Sequence, residues 1–137
     1  MNTRIFPLVS GFLTLSMALA NVSHAQTGGT VNFANDSSSL VTNGLTASLV
    51  TAADGIQAEL YWAPTDSSPF TQLGVSVTVG IPLPGIFAGG TRTTGAATPG
   101  GSNAWFQVRA WGGGYSTYEE ALQQGDTLVG QSAIIQA

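Results

Sequence analysis

The feature that most constrains this chain is a two-residue alternation in short runs, bounded by clusters of Gly, Pro, Ser and Thr. In residues 56–62, Ile56, Ala58, Leu60 and Trp62 fall on one side and Gln57, Glu59 and Tyr61 on the other. In residues 104–111, Phe106, Val108 and Ala110 oppose Trp105, Gln107, Arg109 and Trp111. Residues 30–33 send Val31 and Phe33 the same way. The most regular run is 73–79, where Leu73, Val75, Val77 and Val79 alternate with Gly74, Ser76 and Thr78. Successive side chains of a strand point to opposite faces, so each run predicts a strand with one face buried. Residues 128–135 form a last apolar segment, and weaker strands are expected at 40–42, 45–49 and 85–88.

The connections carry turn chemistry. Asn43-Gly44 and Asp54-Gly55 favour positive φ, as hairpin turns require, and Pro64, Pro69, Pro82 and Pro84 mark loops or strand edges. Residues 89–102 are rich in Gly and Thr and lack apolar periodicity, which predicts a long surface loop. One helix is expected over 118–124. Thr117 and Glu120 have the spacing of a capping box, Glu119 and Glu120 lie at the positive end of the helix dipole, and Gly125 is a C′ stop. Tyr118, Ala121 and Leu122 are expected to face the sheet. With no βαβ alternation, the predicted fold is all-β: an antiparallel β-sandwich, jelly-roll or Ig-like, with one short helix.

Residues 1–25 read as a signal peptide: Arg4 precedes an apolar run over 5–20, and small residues stand at Ser23 and Ala25. The run falls short of the roughly 20 residues of a spanning helix, so no stable membrane span is expected after cleavage. The expected localisation is export through the inner membrane to the periplasm or beyond, leaving one domain over 26–137. That domain carries two bases, Arg92 and Arg109, against seven acids, a formal charge of −5. The single His of the chain is His24, the methionines are Met1 and Met17, and Cys and Lys are absent. Cysteine nucleophiles, Ser–His–Asp triads, lysine Schiff bases, the P-loop and His or Cys metal sites each lose an essential group. Two arginines on an acidic domain do not fit nucleic-acid binding. The expectation is no enzyme and no cofactor.

Four residues form the candidate ligand site. If Phe106, Val108 and Ala110 enter the core, Trp105, Gln107, Arg109 and Trp111 share the other face, where aromatic rings beside planar polar groups suit a sugar ring. Tyr61, Tyr115 and Tyr118 are candidates to extend that platform. The alternative packs both Trp side chains in the interior and pairs Arg109 with a carboxylate, Glu59 being one candidate. Glycoside hydrolysis needs two carboxyl groups across a cleft, and no spacing marks such a pair: Glu119 and Glu120 are adjacent with capping roles, and Asp54, Asp66 and Asp126 lie beside turns. Asn35-Asp36, Asp54 and Asp66 offer oxygen ligands without a calcium-loop pattern, so no metal is assigned.

Several stretches carry a resemblance: Thr30-Val31-Asn32-Phe33-Ala34-Asn35, Glu59-Leu60-Tyr61-Trp62-Ala63-Pro64, Gly89-Gly90-Thr91-Arg92-Thr93, Phe106-Gln107-Val108-Arg109-Ala110-Trp111, and Tyr118-Glu119. In this order the chain resembles exported bacterial β-sandwich proteins of the kind often carrying a PEP-CTERM exosortase sorting tail. The resemblance implies export and a surface or extracellular-matrix setting, and it brings no catalytic residues. The tail itself would need Pro-Glu-Pro, an apolar helix and an Arg cluster, whereas the sequence closes on Ile134-Ile135-Gln136-Ala137. The expectation is either a secreted member or a truncated one. The function expected is a non-enzymatic surface or matrix component, with extracellular polysaccharide or other surface proteins as partners. A carbohydrate-binding module is the alternative, and a carboxylate-only glycoside hydrolase the second.

Overall fold

The structure, a computed structural model, describes residues 28–137 and the backbone of a short strand at Thr14–Ser16. The rest of the expected signal peptide lies outside the described residues. The strands are β1 (Thr14–Ser16), β2 (Thr30–Ala34), β3 (Gln57–Ala63), β4 (Thr71–Gln72), β5 (Val77–Thr78), β6 (Ala88–Thr93), β7 (Trp105–Trp111), β8 (Val129–Gln131) and β9 (Ile135–Gln136). One helix, α1 (Tyr118–Gln124), follows β7. Among the described residues every strand pairing is antiparallel and one short α-helix is present, so the fold is all-β.

Two sheets form. The smaller has the order β1-β2-β6; the larger has β4-β3-β7-β8, with β5 also on β3 and β9 also on β7. The central pair, β3 with β7, runs in unbroken register from Gln57 opposite Trp111 to Ala63 opposite Trp105. Both strands keep the alternation read from the sequence. Ala58, Leu60, Phe106, Val108 and Ala110 share one buried cluster with Val31 and Phe33 of β2 and with Phe87, so both sheets contribute to one core. A second cluster, Tyr61, Trp111, Tyr118, Ala121 and Val129, lies on the opposite face of the larger sheet, under α1.

The run 73–79 forms far less strand than its alternation predicts. Only Val77 and Thr78 pair with β3, next to Gln57 and Ala58, while Thr71 and Gln72 pair further along with Trp62 and Tyr61. Between those pairings the 71–78 segment holds two more residues than β3 does, and the surplus bulges outward. Gly74 takes φ +88 at the bulge, and Val75 is 72% exposed. Arg92 of β6 holds this bulge: its Nη2 donates to the Val75 carbonyl at 3.1 Å, and its guanidinium carbon lies 5.6 Å from the Phe33 ring centre. A Cβ on Gly74 would stand 2.6 Å from Arg92 Nε.

The expected loop 89–102 instead begins as strand. Residues 89–93 belong to β6; 90–93 pair with β2, and Gly89 is the extra residue where the register shifts between Phe33 and Ala34. Alternation is missing there because the core position opposite Gly89 is already filled: a Cβ on Gly89 would overlap the Phe33 ring. Each expected turn is met in part: Asn43-Gly44 lies in a hairpin closed by the antiparallel bridge of Thr42 with Leu49, and Gly55 has its positive φ. Around Asn43 the positive φ falls on Ala47, at 56°, and Asn43 Oδ1 accepts from Leu45 N at 2.9 Å. Gly55 does take φ +65, but it ends a 3-10 turn over Ala52–Asp54, where Asp54 Oδ2 accepts from Thr51 N at 2.6 Å.

The helix has its predicted bounds. Thr117 Oγ1 accepts from Glu120 N at 3.1 Å, and Gly125 closes the helix at φ +69. The return bond of the capping box goes one residue further back, from Ser116 N to Glu120 Oε2 at 3.0 Å. Tyr118 and Ala121 face the sheet, whereas Leu122 is exposed, because a helix this short turns only a narrow stripe inward.

Candidate functional site

The face of the larger sheet turned away from the shared core holds the densest polar chemistry among the described residues. The β3–β7 register puts Glu59 opposite Arg109 and Tyr61 opposite Gln107. Gln72 joins from β4, opposite Tyr61. Thr117 sets the first turn of α1 so that Glu119 reaches down to the same patch.

These side chains form a continuous hydrogen-bonded chain. Gln72 Nε2 donates to Glu59 Oε2 at 3.2 Å and to the Tyr61 hydroxyl at 3.3 Å. The Tyr61 hydroxyl donates to Glu119 Oε2 at 2.9 Å. Arg109 Nη1 donates to Glu119 Oε1 at 2.9 Å, and Arg109 Nε to Gln107 Oε1 at 3.0 Å. Gln107 Nε2 then reaches the Ser132 carbonyl at 3.2 Å. The guanidinium carbon of Arg109 lies 4.1 Å from the Tyr61 ring centre and 5.4 Å from that of Tyr118, within cation–π range of both.

Arg109 therefore ion-pairs with Glu119 and not with Glu59, although Glu59 is its cross-strand neighbour. Glu59 is 4% exposed and relies on the Gln72 amide. Burial, with the neighbouring Glu119 carboxylate second, raises its pKa above the ordinary carboxylate value. Burial likewise pushes the Tyr61 phenol well up and raises that of Tyr118. The patch thus joins a carboxyl group biased towards its protonated form to one held by an arginine and a tyrosine.

Of the four residues expected to bind a ligand, β7 does place Trp105, Gln107, Arg109 and Trp111 on one face. Their exposures differ. Trp111 is 0% exposed, and its indole N–H donates to the Tyr115 carbonyl at 2.8 Å. Tyr115 is fastened in turn by its hydroxyl to Asp126 Oδ1 at 2.7 Å, a bond that raises the phenol pKa. Gln107 is buried, Arg109 is largely covered, and Trp105 is half-buried at the far end of the strand, opposite Ala63 and Gln136. A sugar ring cannot stack on Trp111 in this arrangement, so the two-tryptophan platform is not presented.

Sequence reasoning did not find Glu119, Tyr61 and Gln72 as one set. The alternation already assigned Glu59 and Tyr61 to the face of Arg109. The approach of Glu119 depends on how the connection between β7 and α1 folds back, which no local spacing encodes. Among the described residues no group of three or more His, Cys, Asp or Glu side chains could hold a metal ion, and no helix is long and apolar enough to cross a membrane. No protein-family model, curated protein or solved structure matches the chain.

Proposed function

We propose that the chain is an exported, non-enzymatic all-β protein that serves as a surface or extracellular-matrix component. The observation that carries this reading is that both carboxyl groups of the polar patch are already engaged by the protein's own side chains. Glu119 is engaged by Arg109 and Tyr61, Glu59 by Gln72, and Gln107 by Ser132, so the polar side chains tie α1 to the sheet. The side-chain inventory supports the same reading, since the domain over 26–137 has no His, Cys or Lys to act as nucleophile or base. Expression of the full chain in a Gram-negative host tests the export half. The expected product is found outside the cytoplasm with the mass of residues 26–137; a cytoplasmic product that keeps Met1 overturns it.

A second reading draws on Glu59 and Glu119, two carboxyl groups of unlike environment in one hydrogen-bonded patch, as acid and base roles require in glycoside hydrolysis. Turnover of a polysaccharide that disappears in Glu59→Gln would establish it. Absence of turnover across a broad glycan panel leaves the first reading standing.

A further inference from the structure

Among the described residues, the strand that covers one edge of the smaller sheet, β1, belongs to the expected leader. β1 pairs with β2 in the register Thr14 opposite Asn32, Leu15 opposite Val31 and Ser16 opposite Thr30. All three β1 residues lie within the expected signal peptide, so its removal uncovers β2. On its other side β2 pairs with β6, and just ahead of it Gly29 N donates to the Thr98 carbonyl at 2.9 Å while the Gly29 carbonyl accepts from Thr94 N at 2.8 Å. Backbone groups alternate sides along a strand. Thr30 and Asn32 therefore turn their N–H and C=O groups to the edge that β1 occupies.

We propose that the trimmed chain, residues 26–137, pairs with a second copy of itself through β2. The proposal rests on the export reading, because cleavage is what exposes the edge. Three observations favour a second copy as the occupant. The edge already accepts an antiparallel strand, and a two-fold axis normal to the sheet generates an antiparallel β2–β2 pair. Next, β2 can imitate the strand it would replace. β1 is Thr-Leu-Ser, with its apolar residue opposite Val31, and β2 offers Thr-Val-Asn. Centring the pair on Val31 sets Val31 against Val31 of the partner subunit. Thr30 then exchanges both backbone bonds with Asn32 of the partner subunit, and the reverse, which is the parity β1 uses. Finally, nothing on the edge repels another strand. From Gln26 to Asn35 there is no charged residue and no proline, the usual devices that protect an edge.

The product is a four-stranded sheet, β6-β2-β2-β6, across the dimer, with Val31 and Phe33 of both copies on its core side. In the uncleaved chain β1 fills the same position, so that form stays monomeric.

Among the described residues both core clusters lie within residues 31–137, so the trimmed chain keeps them whole. The test compares three proteins by light scattering coupled to size-exclusion chromatography: the full chain, residues 26–137, and residues 26–137 carrying Asn32→Pro. Proline at this position removes an edge N–H without touching a bond to β6. The expected masses are one copy, two copies and one copy. Asn32→Lys repeats the third measurement with the backbone N–H kept, and circular dichroism verifies that each variant is folded. A monomeric trimmed chain, or a dimer that survives both substitutions, overturns the proposal. Because the trimmed chain is expressed directly, this outcome is independent of the intact-mass measurement that tests export.

Discussion

The two faces of the larger sheet are built by the same two strands and are both buried, yet they are held by different physics. The inner face of β3 and β7 offers Ala58, Leu60, Phe106, Val108 and Ala110 to a core shared with β2, where close packing excludes water. The outer face offers Glu59, Tyr61, Gln107, Arg109 and Trp111, and is covered by a helix of two turns through hydrogen bonds and one ion pair. One face tolerates any well-shaped apolar filling. The other needs particular donors and acceptors in particular places, because a buried polar group without a partner is costly.

The sharpest way to break the comparison is to truncate one large residue on each face. Phe106→Ala should lower unfolding free energy by about 3–5 kcal/mol in urea titration, the range for large core truncations. Trp111→Ala should lose a similar amount, about 3–5 kcal/mol, since its ring is equally buried. A loss below about 1 kcal/mol for Trp111→Ala would mean that the helix-covered face contributes little to the fold. Arg109→Ala comes next, at about 1–2 kcal/mol, by leaving Gln107 and Glu119 without their charged donor. Hydrogen exchange should speed up most in α1; uniform acceleration through β3 and β7 would contradict the clasp. Thr117→Ala removes the helix cap and should cost about 1 kcal/mol, with α1 fraying and the inner face unaltered.

The smallest effect is a pH dependence. Glu59 has a raised pKa in the folded protein, so over the interval between the ordinary carboxylate value and the raised one the folded state binds more protons than the unfolded state. The stability that Glu59 confers is present below that interval and declines as pH climbs through it. Glu59→Gln should flatten this decline and be the more stable protein at neutral pH, its amide oxygen still accepting from Gln72. Parallel stability–pH curves for the two proteins would show that Glu59 does not titrate as its surroundings dictate.

Parts of this organisation were legible in the residues. The alternation of 56–62 and 104–111 assigned every side chain of β3 and β7 to its observed face, because period 2 is an intrinsic property of extended backbone. The helix was legible from Thr117 and Gly125, whose conformations and bonds are local. By contrast, the most regular alternation, 73–79, is interrupted by a bulge, and the least regular segment, 89–93, is a strand. Both departures have tertiary causes. Arg92 crosses to the Val75 carbonyl and needs the space at Gly74, while Phe33 fills the position a side chain at Gly89 would take. Four site residues were placed on one face correctly, but their exposure was not legible, since it is set by what lies above them.

What the sequence determined by itself is of short range: that 56–62 and 104–111 extend, which face each side chain takes along that central pair, where the helix over 118–124 starts and stops, and which side-chain types are absent over 26–137. Tertiary structure alone decided that Arg109 answers Glu119 and not Glu59, that Trp111 is sealed beneath α1, and that β1 occupies the edge of β2. Backbone preference acts over a few residues, whereas burial and pairing depend on groups that meet only once the chain has closed on itself.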